Sequence, residues 1–127
     1  MAKWVHADVL DGGLNGIKTV ATKMFLIKAY SAADSYATVL GNALNAGVTM
    51  ATGDYTLSSS SSNRLITTGT KSDTATGNSG ATPNLHIAFT DGSAKVLWVT
   101  DETSDQVITS GNTINFPALT YTSNQPT

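Results

Sequence analysis

Cysteine is absent from this 127-residue sequence, so it has no disulfide framework and no thiolate metal site. The absence says little about compartment, because a cysteine-free chain survives in either redox setting. Charge is scarce as well: 13% of residues are Asp, Glu, Lys or Arg, about half the usual share of roughly 25%. With a formal net charge of −2, the chain lacks the basic excess that captures nucleic acid or anionic lipid. Long apolar runs are missing too. Met1-Ala-Lys-Trp-Val-His-Ala-Asp8 has no signal-peptide core, and no stretch approaches the length of a membrane span. No proline-rich or charged linker divides the chain, which predicts one domain over residues 1–127.

What the sequence does have is neutral polarity, carried by Ser, Thr, Asn and Gly, and a set of short β-prone runs. The most informative stretch is Asn84 to Thr100. Two apolar runs flank Asp91-Gly92, a dipeptide suited to a two-residue type I′ turn. That turn predicts a register with Ile87 opposite Val96, Leu85 opposite Trp98 and Phe89 opposite Ala94. Alternation then places Leu85, Ile87, Phe89, Ala94, Val96 and Trp98 on one core face. The other face, with His86, Ala88, Lys95 and Leu97, is mixed and calls for a partial second cover.

Around this hairpin the chain reads as mainly β. Residues 8–20 predict a short helix, with Asp8 as N-cap and Leu10, Leu14 and Ile17 on one face. Gly12, Gly13 and Gly16 oppose it by roughly 1 kcal/mol each. Lys23 to Tyr30 is a continuous apolar run between lysines, as in a strand covered on both faces. Ser31 to Asn45 reads equally as a one- or two-turn helix or an irregular edge. Val48-Thr-Met-Ala51 and Tyr55-Thr-Leu57 alternate about Thr52-Gly-Asp54 as two short strands. The serine run 58–62 is a loop or frayed strand end, and Arg64 to Thr68 resumes a strand. Thr68 to Thr82 has almost no apolar residue and is either an exposed excursion or a polar edge strand. Further on, Asp101 to Asp105 predicts a turn, Gln106 to Thr109 a short strand, and Thr113 to Phe116 a strand with Ile114 and Phe116 on one face. Pro117 breaks it, and Leu119 and Tyr121 alternate with Thr120 and Thr122. Short strands at this spacing predict an antiparallel β-sandwich with one short N-terminal helix.

Catalytic constellations are not legible. His6 and His86 have no metal-ligand spacing such as HExxH, and His86 is expected as a packed strand residue. Asp101, Glu102 and Asp105 lack the pattern of a calcium loop and read as a solvated turn. Asp11-Gly-Gly-Leu-Asn-Gly16 is not a phosphate loop, and no G-x-S-x-G elbow accompanies the many serines. The expectation is a non-enzyme with no cofactor and no metal. Trp4, Tyr36, Tyr55 and Tyr121 could stack on sugar, but such aromatics more often form core rims or protein interfaces.

The order of several segments resembles a family of small tailed-phage structural proteins, the capsid decoration or cement proteins. The segments are Asp8-Val-Leu-Asp-Gly-Gly-Leu-Asn-Gly-Ile-Lys18, Met24-Phe-Leu-Ile27, Asp34-Ser-Tyr-Ala-Thr-Val39, Leu85-His-Ile-Ala88, Asp91-Gly-Ser93, Leu97-Trp-Val-Thr100, Gln106-Val-Ile-Thr-Ser-Gly-Asn-Thr-Ile-Asn-Phe-Pro117 and the final Gln125-Pro-Thr127. The resemblance implies a jelly-roll-like sandwich on the outer surface of an icosahedral head. Made in the host cytoplasm, it would cement neighbouring major capsid protein subunits as a homo-oligomer, a dimer or trimer. Neither nucleic acid nor membrane is expected as a direct partner. The competing expectation is a carbohydrate-binding or host-attachment module. For the capsid or subunit interface the expected residues are Trp4, Val5, His6 and Tyr121. A large aromatic so near a chain end would waste its apolar surface unless a partner, or its own fold, buried it.

Overall fold

Strand β1 (Lys23–Ile27) is apolar on both sides because both sides are covered. Met24 and Leu26 enter the main core, whereas Phe25 and Ile27 face a second, smaller cluster. A computed structural model of the chain describes residues 2–102 and 104–127. In chain order the other elements are α1 (Ala7–Val20), α2 (Tyr36–Gly41), β2 (Val48–Thr49), β3 (Tyr55–Ser60), β4 (Asn63–Thr68), β5 (Lys71–Thr74), β6 (His86–Thr90), β7 (Val96–Asp101), β8 (Thr113–Phe116) and β9 (Thr120–Ser123). They make a four-stranded sheet β2-β1-β6-β7, a three-stranded sheet β3-β4-β9 and a two-stranded ribbon β5-β8, with every pairing antiparallel. The fold is mainly β with one main helix near the N-terminus, as expected.

All three sheets and α1 share the main core. Leu14 and Ile17 come from α1, Ile87 and Phe89 from β6, Ile66 from β4, and Phe116 from β8. Tyr55 is buried among them and donates its hydroxyl to the Ala21 carbonyl at 2.7 Å. Burial raises its pKa well above the ordinary tyrosine value, the nearby Asp54 carboxylate adding to the effect. The second face of the four-stranded sheet is covered by the chain itself: Val39 of α2 packs with Phe25, Ile27 and Ala88. Helix α2 resolves the ambiguous segment, capped by Ser35, whose side chain accepts from the Thr38 N–H at 3.2 Å.

Asn45 is a buried polar residue with every group placed. Its Oδ1 accepts from the Leu26 N–H at 2.9 Å, and its Nδ2 donates to Asp73 Oδ2 at 3.0 Å. It thus satisfies the edge of β1 where the two-residue β2 no longer reaches.

Several expectations are corrected. The N-cap of α1 is His6, not Asp8. His6 is extended and its Nδ1 accepts from the Asp8 N–H at 3.1 Å, so Asp8 lies in the first turn, near the positive end of the helix. The helix runs through all three glycines because its apolar stripe docks and Arg64 grips Asp11 (Nε–Oδ1 2.8 Å, Nη2–Oδ2 3.1 Å).

The β6–β7 register differs from the tight-turn reading: Ile87 lies opposite Thr100 rather than Val96, a slip of four, and Phe89 opposite Trp98. An even slip keeps Trp98 on the core face. A bulge between Phe89 and Thr90 then turns Val96 to the second face and Leu97 to the main core, the reverse of the expectation. Ala94 moves into the loop and is exposed.

Val48-Thr49 and Tyr55–Ser60 do not pair with each other. They belong to different sheets, joined through a 3-10 turn at Thr52–Asp54. There the Asp54 carboxylate accepts from the Ala51 N–H and pairs with Lys71 at 3.0 Å, which together hold it below the usual carboxylate range. The serine run is mostly strand: Ser58–Ser60 pair with Leu65, Arg64 and Asn63, leaving Ser61 and Ser62 as the turn. The Thr68–Thr82 segment contains a paired strand, β5, and buries Ala75, so its edge-strand reading holds. Gln106–Thr109 is not a strand. Its backbone is satisfied by a loop, with Ile108 N–H donating to Ser79 Oγ at 2.8 Å and Ile108 O accepting from Ser79 N–H at 2.9 Å. The turn expected over 101–105 includes Thr103, which lies outside the described residues.

Candidate functional site

The residues before α1 are fastened to the last residues of the chain. Gln125 is the fastener: its Oε1 accepts from the Val5 N–H at 3.0 Å, and its Nε2 donates to Val5 O at 2.9 Å and to Ser62 O at 3.0 Å. Its own N–H is taken by Asn63 Oδ1 at 2.8 Å, and Lys3 Nζ donates to Thr127 O at 2.7 Å. Val5 is half-buried under this clasp and His6 caps the helix that follows. Trp4 sits between the two fastened residues Lys3 and Val5, yet is 67% exposed. The backbone that carries Trp4 is therefore held on both sides. An indole on a held backbone loses less conformational freedom on binding than one on a free tail.

Tyr121 lies on the inner side of β9 and is 46% exposed. Its ring meets Trp98 edge-on, centroids 5.8 Å apart, and Trp98 stacks on Phe89 at 4.6 Å with planes 11° apart. The Trp98 and Tyr121 side chains, with Leu97, form one wall of a groove of about 270 Å³ whose other wall is α1, with Val9, Leu10 and Leu14. The structure thus sorts the four expected residues into two places. Trp4, Val5 and His6 form the clasped arm, and Tyr121 belongs to the groove; Gln125 in the segment after β9 joins the two.

Sequence reasoning missed Val9, Leu97 and Trp98 as groove residues and Gln125 as the clasp. Val9 carried a signal, being apolar but off the Leu10, Leu14, Ile17 stripe, and it is 66% exposed. Gln125 carried none beyond its place in the closing Gln-Pro-Thr.

Chemistry other than binding has little to work with. Among the described residues no group of three or more His, Asp or Glu is placed to hold a metal ion. The His86 ring stands 3.7 Å from Asp101 and tilts against Tyr30, within a half-buried strand environment. No described helix is long and apolar enough to cross a membrane. Comparison of the chain with protein-family models, with curated proteins and with solved structures finds no match.

Proposed function

We propose that this protein is a non-enzymatic capsid decoration protein, binding the outer surface of an icosahedral phage head and cementing neighbouring major capsid protein subunits. The observation that carries the reading is Trp4: a large apolar ring displayed to solvent on a backbone that Gln125 and Lys3 hold in place. Such a ring is the kind of anchor that dominates protein interfaces. Low charge supports the same reading, since attachment then rests on apolar contact and hydrogen bonds and survives added salt. The jelly-roll-like path and the virion location belong to the proposal. They draw on the resemblance and on antiparallel sheets around a common core.

The test is co-sedimentation of the purified protein with expanded heads of the phage that encodes it. Saturable, salt-resistant binding is expected, and Trp4→Ala should weaken it by about tenfold or more while leaving the melting temperature within a few degrees. Absence of binding to heads, or binding to glycans instead, overturns the reading.

A further inference from the structure

The loop that follows β7 is pinned at both ends. At one end Leu85 holds it: the Glu102 N–H donates to Leu85 O at 2.9 Å, and the Leu85 N–H donates to Asp105 Oδ1 at 2.8 Å. At the other end the Ile108 N–H donates to Ser79 Oγ at 2.8 Å, and the Ser79 N–H to Ile108 O at 2.9 Å. Between these fastenings the loop, β8 and the start of β6 enclose a cavity of about 170 Å³. Its floor is apolar and buried, made by Leu26, Leu85, Ile87, Ile114 and Phe116. Ser104, Gln106 and Asn115 form an exposed polar rim, and Glu102 is the one charged residue on the wall.

Glu102 is held in place there. Its Oε1 accepts from the Ser104 N–H at 3.1 Å and its Oε2 from the Ser104 hydroxyl. A carboxylate offers about four acceptor positions, so one on each oxygen remains open. Among the described residues no cation pairs with it. The ion pairs made by Arg and Lys are Arg64 with Asp11 and Lys71 with Asp54, and His86 faces Asp101.

Size, floor and charge together narrow what can enter. Sites for whole ligands run to about 300 Å³ and more, whereas a cavity of roughly 150 Å³ takes one benzene-sized group. The space therefore suits a single side chain. An apolar one would strip water from Glu102 without pairing it, and an acidic one would be repelled. A long basic side chain lays its methylenes on the apolar floor and brings its charge to the carboxylate. Arginine suits the rim better than lysine. Its planar fork matches the two open Glu102 positions and leaves further donors for the amide oxygens of Gln106 and Asn115.

We infer that this cavity is a docking pocket for an arginine side chain presented by a partner protein. The pocket goes beyond the decoration reading, since it recognises the side chain whether or not a capsid subunit carries it.

Amide chemical shifts of the full-length, nitrogen-15-labelled protein, titrated with N-acetyl-arginine N-methylamide, test it. The same derivative of citrulline is the control, because it keeps the shape of arginine and removes the charge. Saturable shifts are expected at Leu85, Ile87, Ile108 and Ile114, with the citrulline probe binding about fivefold more weakly or worse. Glu102→Gln should bring the two probes level. Asp101→Asn should leave the preference intact, because that carboxylate faces His86 and does not line the cavity. The two probes are compared first on the unaltered protein, so a Glu102→Gln chain that failed to fold would not shield the inference. Shifts that are absent or lie elsewhere, equal binding of the two probes, or a preference that survives Glu102→Gln would overturn it. Tighter binding of n-butylguanidinium than of the arginine probe would assign the pocket to a free small guanidinium and overturn the protein partner.

Discussion

Hairpin β3–β4 reverses over two serines, Ser61 and Ser62, whereas hairpin β6–β7 uses the five residues from Asp91 to Lys95 for the same reversal. Turn preferences alone would assign them the other way round, since Asp91-Gly92 favours the tight turn and a Ser-Ser pair does not. In β3–β4 the tight turn forces Ser61 into the left-handed region, at φ 59°, on the order of 1–2 kcal/mol for a residue with a side chain. In β6–β7 the gain from the open loop is larger. The slipped register sets Trp98 on Phe89 and against Tyr121, and burying an indole with a stacked partner contributes roughly 2–4 kcal/mol. Asp91 makes the wide loop tolerable: its Oδ1 accepts from the N–H groups of Ser93, Ala94 and Lys95 at 2.8–2.9 Å. Register here is set by what the strands bury, and the turn adapts.

The comparison breaks most visibly at the aromatic stack. Phe89→Ala should destabilise the protein by about 3–5 kcal/mol, and Trp98→Ala by somewhat less because its ring is only half-buried. Chemical denaturation followed at equilibrium gives both values. A Trp98→Ala midpoint equal to wild type would mean that the stack does not choose the register.

A smaller effect lies in the loop. Three backbone N–H groups hold the Asp91 carboxyl down from 3.8 to about 2, those of Ala94 and Lys95 contributing most. A folded-state value below the ordinary one means that the charged form favours the fold. The contribution is therefore complete above the ordinary value and disappears as pH falls through about 2. Asp91→Asn should melt lower than wild type near neutrality, and the gap should close across that acid window. A gap constant with pH would show that the carboxylate does not hold the loop.

The smallest effect belongs to the other hairpin. Ser61→Gly removes the left-handed penalty but adds chain entropy, so the melting point should rise by an amount worth less than about 1 kcal/mol. A clear fall would mean that the Ser61 side chain stabilises the turn.

Periodicity made much of the fold legible. The Leu10, Leu14, Ile17 stripe, the doubly covered β1 and the alternating Ile114 and Phe116 are local patterns, and each was readable because burial repeats at the period of its element. Pairing was less legible. Nothing in Val48-Thr49 or Tyr55–Ser60 says that they enter different sheets, and the bulge that sends Val96 and Leu97 to opposite faces depends on contacts distant in sequence. The candidate site divides in the same way. Trp4 and Tyr121 stood out by size, but the clasp that presents one and the groove that frames the other depend on Gln125 and Val9, whose roles exist only once the ends of the chain meet.

The buried Asn45 has a consequence for how this protein would age. Its amide is oriented unambiguously, because the oxygen takes the Leu26 N–H and the nitrogen gives to the Asp73 carboxylate. Deamidation would turn that donor into a second carboxylate facing the first, at a residue that the fold almost fully buries. The damaged chain would have to take up a proton or open the edge of β1. The same amide that closes the sheet edge is thus a chemical clock, held back for as long as its surroundings keep it dry and still.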